Sequence, residues 1–231
     1  MPTITIASQK NSQDPLQSGS LPAQIHRALE ESIISGRIQP GSRLLADDLA
    51  ETYGVSRIPV REAISSLHEA GWVAMRPRYG VYVRERTRAE LAELFEARAG
   101  IESEIARLAA QRGNPSQLAR LAATVARSET ANRRADTDEL SDAAVDFNAA
   151  LRDASGNATL SQLSLTLEKR ARFYFSPIAD VLGAEWVVGQ ARLLGLLKRH
   201  DVEASGQSAR RHVVETGEAV ARLLAPEAFS D

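Results

Sequence analysis

The chain has 231 residues, enough for two modest domains, and it contains no cysteine, which excludes disulfides and thiolate metal sites. Its 28 basic and 30 acidic side chains nearly cancel, so composition gives no broad positive field. No apolar run reaches the roughly 18 residues that span a membrane, and the N-terminus lacks the charged-then-apolar form of a signal peptide. We therefore expect a cytoplasmic protein with no membrane partner.

Basic charge is nevertheless concentrated locally. Residues 57–86 contain six arginines against three glutamates. Such a patch on a nearly neutral protein is typical of a regulator that must find a DNA site and also be released from it. Residues 1–20 are polar and aperiodic, which predicts a mobile tail. Because Lys10 is their only basic residue, the alternative role as a DNA-contacting arm has little electrostatic support.

Two helices are predicted next. The first is marked by apolar residues at helical spacing: Ile25, Ala28, Leu29 and Ile33. Gly36 lies where its C-cap belongs. A second, short helix runs from Leu45 to Tyr53, and Gly54 makes the turn that follows it.

Residues 55–64 then predict a tight turn feeding a third helix. Ser56 is a candidate N-cap, expected to accept a backbone N–H, and Pro59 falls in the first turn, where no intrahelical donor is lost. The buried stripe is expected to comprise Val60, Ala63, Ile64 and Leu67. Arg57 and Arg61 lie on neighbouring turns of the opposite face. A helix with this distribution fits the major groove of DNA.

Two short alternating runs follow at residues 71–75 and 80–83, separated by Arg76-Pro77-Arg78-Tyr79. They predict a β-hairpin wing with a basic tip. Arg76 and Arg78 could reach the minor groove or the neighbouring phosphates. Helix, glycine-containing turn, helix and hairpin together make a winged helix-turn-helix layout.

Residues 21–84 resemble the winged-helix domain of the GntR family of bacterial transcriptional regulators. The matching positions are spread over the whole domain: 33–36, Pro40-Gly41, Leu44, Leu49-Ala50, 55–57, 59–64, Leu67, Gly71, and Gly80 with Val83. The resemblance implies that Arg57 and Arg61 contact operator bases or phosphates, and that Gly80 lets the wing approach DNA closely. We therefore expect a double-stranded DNA operator to be contacted by Ser56, Arg57, Pro59, Arg61, Arg76, Arg78 and Gly80.

One departure lies on the second helix, where some relatives carry an arginine near the position of Asp47. The acidic pair Asp47-Asp48 cannot contact a phosphate, so we assign it no DNA role. We expect it at the start of that helix, where negative charge interacts favourably with the helix dipole.

From Arg88 onward the pattern is helical throughout. One face of a long first helix, ending near Gly113, carries Leu91, Leu94, Phe95, Arg98, Ile101, Glu102, Ile105 and Leu108. Further helices are predicted at 115–134, 139–154, 158–176, 184–199 and 202–225, with breaks at 155–157, Pro177 and Leu182-Gly183. Residues 88–226 are thus expected to form an all-α bundle of six or seven helices.

This second half resembles the FCD-type effector domain that follows the winged helix in the FadR subgroup of GntR regulators. The supporting residues are Arg98-x-x-x-Glu102, Phe147-Asn148-x-x-Leu151 followed by 154–157, and His212 in the final helix. The resemblance implies a domain that binds an effector and dimerises.

Many members of that subgroup bind a divalent metal through an aspartate and a histidine four residues apart on the third helix of the domain, plus two further histidines. Here an alanine takes the aspartate position, and Asn148 and Gln190 take two of the histidine positions, while His212 keeps the family residue. One imidazole and two carboxamides do not supply the three or four donors that a transition metal needs. Asp142 and Asp146 lie off this face and are expected to be solvated. We therefore predict no metal and no cofactor.

A directly bound small organic acid could replace the metal. Arg98, on the inner stripe of its helix, would be costly to bury without a negative partner. That partner is either a ligand or Glu102, one turn away. Asn148, Gln190 and His212 could add neutral hydrogen bonds to the same ligand, although His212 could equally be a satisfied core residue.

The pattern favours a ligand-responsive transcription factor acting as a homodimer on a palindromic operator, since one helix in the groove reads too few base pairs. The alternative is an architectural DNA-binding protein whose helical domain only dimerises and senses no ligand. An enzyme is not expected, because no nucleophile–base pair or glycine-rich phosphate loop is visible.

Overall fold

The computed structural model describes residues 19–230, so the tail predicted at 1–20 lies outside the described residues apart from its last two positions. The chain divides into two compact units, one containing Gly41–Arg84 with the residues up to Ile33, and the other containing Ile34–Pro40 with the residues from Glu85 onward.

The N-terminal unit has three helices and a small antiparallel sheet. In chain order its elements are α1 (Leu21–Ile34), β1 (Arg43–Leu44), α2 (Ala46–Tyr53), α3 (Arg57–Glu69), β2 (Val73–Arg76) and β3 (Gly80–Val83). The strand order is β1-β3-β2, and the β2–β3 register pairs Val73 with Val83. The predicted hairpin is confirmed, whereas β1 was not predicted because two residues are too few to show alternation.

Burial explains why these elements form. The stripe residues of α1 and α3 are buried as their spacing predicts: Ile25, Leu29, Ile33, Val60, Ala63, Ile64 and Leu67. Gly54 caps α2 in the left-handed conformation at φ 64°, which glycine adopts without steric cost. The Trp72 indole N–H donates to Glu30 at 2.9 Å and so fixes the base of the hairpin to α1.

The C-terminal unit is an α-helical bundle. Its helices are α4 (Arg88–Arg112), α5 (Pro115–Arg134), α6 (Thr137–Ser155), α7 (Ala158–Phe175), α8 (Ala179–Lys198) and α9 (Val202–Leu223), with short 3₁₀ turns at Ser176–Ile178 and Pro226–Ala228. Side-chain N-caps begin most of them: Thr87, Asn114, Asp136, Asn157 and Asp201. The long helix α4 packs against α6, α7 and α9, which places its inner face at the centre of the bundle.

The break predicted at Leu182-Gly183 is wrong, since α8 runs without interruption from Ala179. Gly183 serves packing, because a Cβ at this position would collide with Leu140 of α6. A glycine inside a helix costs about 1 kcal/mol relative to alanine, and close contact between helices offsets that cost. A glycine in the sequence does not by itself show whether it ends a helix or allows two helices to pack closely.

Gly217 of α9 permits a similar approach to α4. A Cβ there would lie 2.8 Å from the ring of Phe95 and 2.9 Å from its Cβ. Gly100 of α4, by contrast, has nothing within 4 Å of the position a Cβ would take. Alanine at Gly100 therefore tests helix propensity alone, whereas alanine at Gly217 also tests the packing against Phe95.

We predict opposite effects of alanine at these two positions. Gly100→Ala should raise the free energy of unfolding by about 0.5–1 kcal/mol through helix propensity. Gly217→Ala should lower it by about 1–3 kcal/mol through overpacking against Phe95. Urea denaturation followed by circular dichroism measures both, and equal stability of the two variants would contradict the packing described for α9.

Candidate functional site

The exposed face of α3 carries both predicted arginines. Arg57 and Arg61 are exposed on its first two turns, while the opposite stripe is buried. Ser56 occupies the N-cap with an extended backbone, but its side chain makes no capping hydrogen bond, so the predicted cap bond is wrong. Pro59 occupies the third helical position and has no N–H, which removes one of the two donors that a cap residue usually accepts from.

Arg57 has a partner that sequence reasoning missed. Its Nε lies 2.8 Å from Oδ1 of Asp47, and both side chains are largely exposed. Asp47 and Asp48 occupy the first turn of α2, as predicted. The contact is an ion pair between Nε and the Asp47 carboxylate, and no hydrogen bond of the terminal nitrogens is found among the described residues. The acidic residue therefore restrains the guanidinium.

The wing presents its basic residues on and beside the hairpin turn. Arg76 and Arg78 are both exposed, and Arg78 has a left-handed backbone at φ 66°. The Arg76 guanidinium lies 4.7 Å from the centre of the Tyr82 ring, a cation–π distance.

Gly80 has an internal structural role in the wing. Its φ is 113°, and a Cβ there would lie 3.0 Å from Nε of Arg43. Glycine is thus required here by the backbone conformation of the wing and by the nearby Arg43 side chain. Arg43, on β1, is an exposed cation beside the wing that no sequence pattern singled out.

In the helical unit, the structure brings all four predicted effector residues together. Arg98 of α4, Asn148 of α6, Gln190 of α8 and His212 of α9 line one cavity of about 450 Å³. This volume lies within the range of small-molecule sites. Helical spacing predicted the inward position of Arg98, whereas the family resemblance singled out Asn148, Gln190 and His212. Four separate helices converge to form the wall.

Arg98 is buried without an ion-pair partner. Its side chain lines the cavity and only 8 % of the residue is exposed. Nε has no hydrogen-bond partner, and no carboxylate of the described residues lies within 4.0 Å of the guanidinium. Burial lowers the pKa of Arg98, while the nearby Glu102 and Glu168 raise it. The alternative Arg98–Glu102 ion pair is therefore not formed.

The neighbouring carboxylates are already satisfied by other groups. Glu168 of α7 pairs with Arg152 and accepts from Nδ2 of Asn148 at 3.3 Å. Oε1 of Glu102 accepts from the Ser164 hydroxyl at 2.7 Å. This polar network was not predicted, because pairing between helices has no sequence spacing; the only signal is the position of Glu168 between the buried residues Ser164 and Ala171.

His212 is held as a neutral side chain. Burial, followed by the positive charges of Arg98 and Arg192, lowers its pKa from 6.5 to about 4. Gly189 of α8 makes room for the imidazole, since a Cβ there would lie 2.7 Å from Nδ1. A neutral imidazole can donate one hydrogen bond and accept another.

The cavity residues do not fit the metal that the family resemblance implies. Ala144 lines the cavity but offers no donor atom, and the Asn148 amide is engaged with Glu168. Within residues 19–230 no group of three His, Cys, Asp or Glu side chains is arranged to hold a metal ion. One imidazole with two carboxamides is not a transition-metal donor set.

Comparisons with known proteins agree with this architecture. A family model described as "Bacterial regulatory proteins, gntR family" matches residues 21–83, and the FCD domain model matches residues 93–215. The HTH-type transcriptional repressor RspR of Escherichia coli K12 is 26% identical over 225 residues, covering 95% of each chain. The solved structure of E. coli McbR/YncC has a TM-score of 0.73 at 23% identity, covering 88% of this chain and 98% of that one. A putative GntR regulator from Rhodococcus sp. RHA1 has a TM-score of 0.74 at 24% identity, covering 90% of this chain and 100% of that one.

The chain belongs to the GntR family of bacterial transcriptional regulators, in the group that carries an FCD domain. The predicted fold, a winged helix-turn-helix followed by an all-helical domain, is confirmed. No helix in the part of the chain that the structure describes is long and apolar enough to cross a membrane.

The lowered pKa of His212 predicts a pH dependence of stability. Because the unfolded chain binds a proton at this residue near pH 6.5 and the folded chain only near pH 4, stability is complete above pH 6.5 and falls as the pH drops from 6.5 to 4. The loss is at most about 3 kcal/mol. His212→Gln should remove this part of the pH dependence, as measured by urea denaturation at a series of pH values. Parallel pH profiles for the two proteins would contradict a neutral, buried imidazole.

Proposed function

We propose that this regulator acts as a homodimer on a palindromic operator and responds to a small organic anion bound in the cavity of its helical unit. DNA would be contacted by Ser56, Arg57, Pro59, Arg61, Arg76, Arg78 and Gly80. The effector would be held by Arg98, Asn148, Gln190 and His212, without a metal or cofactor. Regulation, and not catalysis, is the activity proposed.

Exposure and charge support the DNA-binding part of the proposal. Arg57 and Arg61 are both exposed on the face of α3 opposite its buried stripe. A bidentate arginine–guanine contact discriminates between bases by about 1–3 kcal/mol, and the arginines of the wing would add phosphate contacts. One such unit reads too few base pairs, so two copies on a two-fold operator are proposed.

The effector part rests on one observation, the buried Arg98 guanidinium, which has no carboxylate within 4.0 Å although the charges of Glu102 and Glu168 act on it. A buried unpaired cation is costly, and an anionic ligand in the cavity would offset that cost. The cavity also favours a sensor over an architectural protein that only dimerises. Ligand binding would act on DNA affinity by shifting the population of dimers that can span both half-sites.

Arg61→Ala is predicted to lose specific operator binding while the fold and dimer persist, because Arg61 is exposed and outside the core. The operator is first selected from a random-sequence duplex library with the wild-type protein. Fluorescence anisotropy should then show a Kd raised at least about tenfold for the selected duplex. Arg134→Ala, which removes an exposed arginine of α5, is the control and should bind as the wild type does. An unchanged Kd for Arg61→Ala would overturn the assignment of α3.

Arg98→Met is predicted to abolish stabilisation by organic acids. Methionine keeps an apolar side chain of similar length, and the melting temperature of the free variant is the reference for its ligand-induced shift. A thermal-shift screen of organic acids, in the presence of EDTA, measures that shift. Arg134→Met serves as the control for the loss of an arginine. Full ligand stabilisation of Arg98→Met would contradict the proposed site, and dependence of that stabilisation on added metal would contradict the metal-free mode.

A further inference from the structure

The acidic side chains of α6 fall into two groups. Those facing α5 are paired with arginines: Asp146 with Arg127 at 2.6 Å, Glu139 with Arg127 at 2.9 Å, and Asp153 with Arg120 at 2.9 Å. Asp138 and Asp142 line the cavity instead, and neither side chain has a hydrogen bond or ion pair among residues 19–230. The helix dipole accounts for Asp138 in the first turn, but Asp142 lies beyond that turn.

Gln190 does not add an acceptor for a ligand. It is only 6 % exposed, and its Oε1, which accepts no hydrogen bond, is not accessible from the cavity. Asp138 and Asp142 are exposed and line the cavity, so a ligand can replace water at their carboxylates. A carboxylate has no proton to donate at neutral pH, so only a ligand that also carries donors would use them.

The buried positive charge of Arg98 and the exposed negative charge of Asp142 lie near different turns of α6. Asn148 marks the buried end, since it bonds to Glu168, whose charge acts on Arg98. Asp142 precedes Asn148 by six residues, which is about 9 Å along a helix axis. Asp142 is exposed, whereas Arg98 is buried. A ligand that reaches both would carry its opposite charges on separate groups, several bonds apart.

The aromatic part of the wall suits the positively charged end of such a ligand. Trp186 and Phe175 both line the cavity, with ring centres 5.0 Å apart in an edge-to-face arrangement. Faces of aromatic rings attract organic cations, tryptophan most strongly. The alkyl chain between the two charged groups would gain apolar contact with the same rings.

We propose that the effector is a zwitterion, with a carboxylate bound by Arg98 and a cationic amine bound by Asp138 and Asp142. The inference rests on the proposed function of this cavity as an effector site. Charge selects against the alternatives: a dicarboxylate would place its second anion near the two aspartates, and a diamine would place a cation beside Arg98. Arg172, the other arginine that lines the cavity, already has an interaction partner.

Matched ligands of equal chain length test this proposal. For chains of about three to six carbons, the ω-amino acid, the unsubstituted monocarboxylate, the dicarboxylate and the diamine are compared by isothermal titration calorimetry on the full chain after exhaustive dialysis. We expect the best ω-amino acid to bind at least about tenfold more tightly than its matched monocarboxylate and dicarboxylate, and the diamines not to bind. A zwitterion that binds no better than its matched monocarboxylate or dicarboxylate, or no binding by any ω-amino acid, would overturn the proposal.

Variants separate this inference from the function on which it rests. Asp142→Asn should reduce the preference for the ω-amino acid and leave monocarboxylate affinity unchanged or higher. Glu129→Gln, which neutralises an exposed carboxylate of α5, is the matched control and should change neither. Arg98→Met should remove binding of every carboxylate. If carboxylates bind through Arg98 but the preference survives when both aspartates are changed, Asp138→Asn with Asp142→Asn, the proposed amine site is wrong and the effector site stands. Binding of carboxylates that Arg98→Met leaves intact would overturn both.

Discussion

Charge inside the helical bundle is the constraint on which the cavity depends. Arg98, Arg152 and Glu168 are all buried where α4, α6 and α7 meet. Removing a charge from water is costly unless a partner offsets it. Arg152 and Glu168 neutralise each other, so Glu168 is not left over for Arg98. Because Glu168 pairs with Arg152, the guanidinium of Arg98 faces the cavity with no carboxylate in contact.

The same network fits the absence of the metal-ligand set that the family resemblance implies. Asn148, which that resemblance aligns with a histidine, donates its amide to Glu168. It therefore contributes to the polar network that satisfies Glu168. His212 is kept neutral by burial and by the positive charge of Arg98, and a neutral imidazole suits an organic ligand as a hydrogen-bonding group. The residues around the cavity are consistent with one another when no metal ion occupies it.

Sequence reasoning predicted the helices and the inward residues of both units because both depend on local periodicity. The stripe of α3 and the inner face of α4 follow directly from apolar spacing. It failed where contacts between distant segments decide the outcome. Gly183 looked like a helix break because Leu140, its reason for being glycine, is far away in the sequence. Asp142 is exposed, as expected, but only the convergence of four helices shows that it also lines the cavity. For the missing Ser56 cap bond the sequence holds a partial signal, because Pro59 at the third helical position removes one of the two usual donors.

The contact between Asp47 and Arg57 bears on how the protein searches a chromosome. A guanidinium that already has a carboxylate beside it gains less from an arbitrary phosphate, so non-specific attachment is weakened. In the proposed complex with DNA, the guanidinium would meet a base edge, where geometry matters more than net charge. In the proposed complex, Asp47 would thus lower the affinity for DNA of any sequence and shorten the time that the protein spends on sites other than its operator. Because the ion pair is exposed, this effect decreases as ionic strength rises.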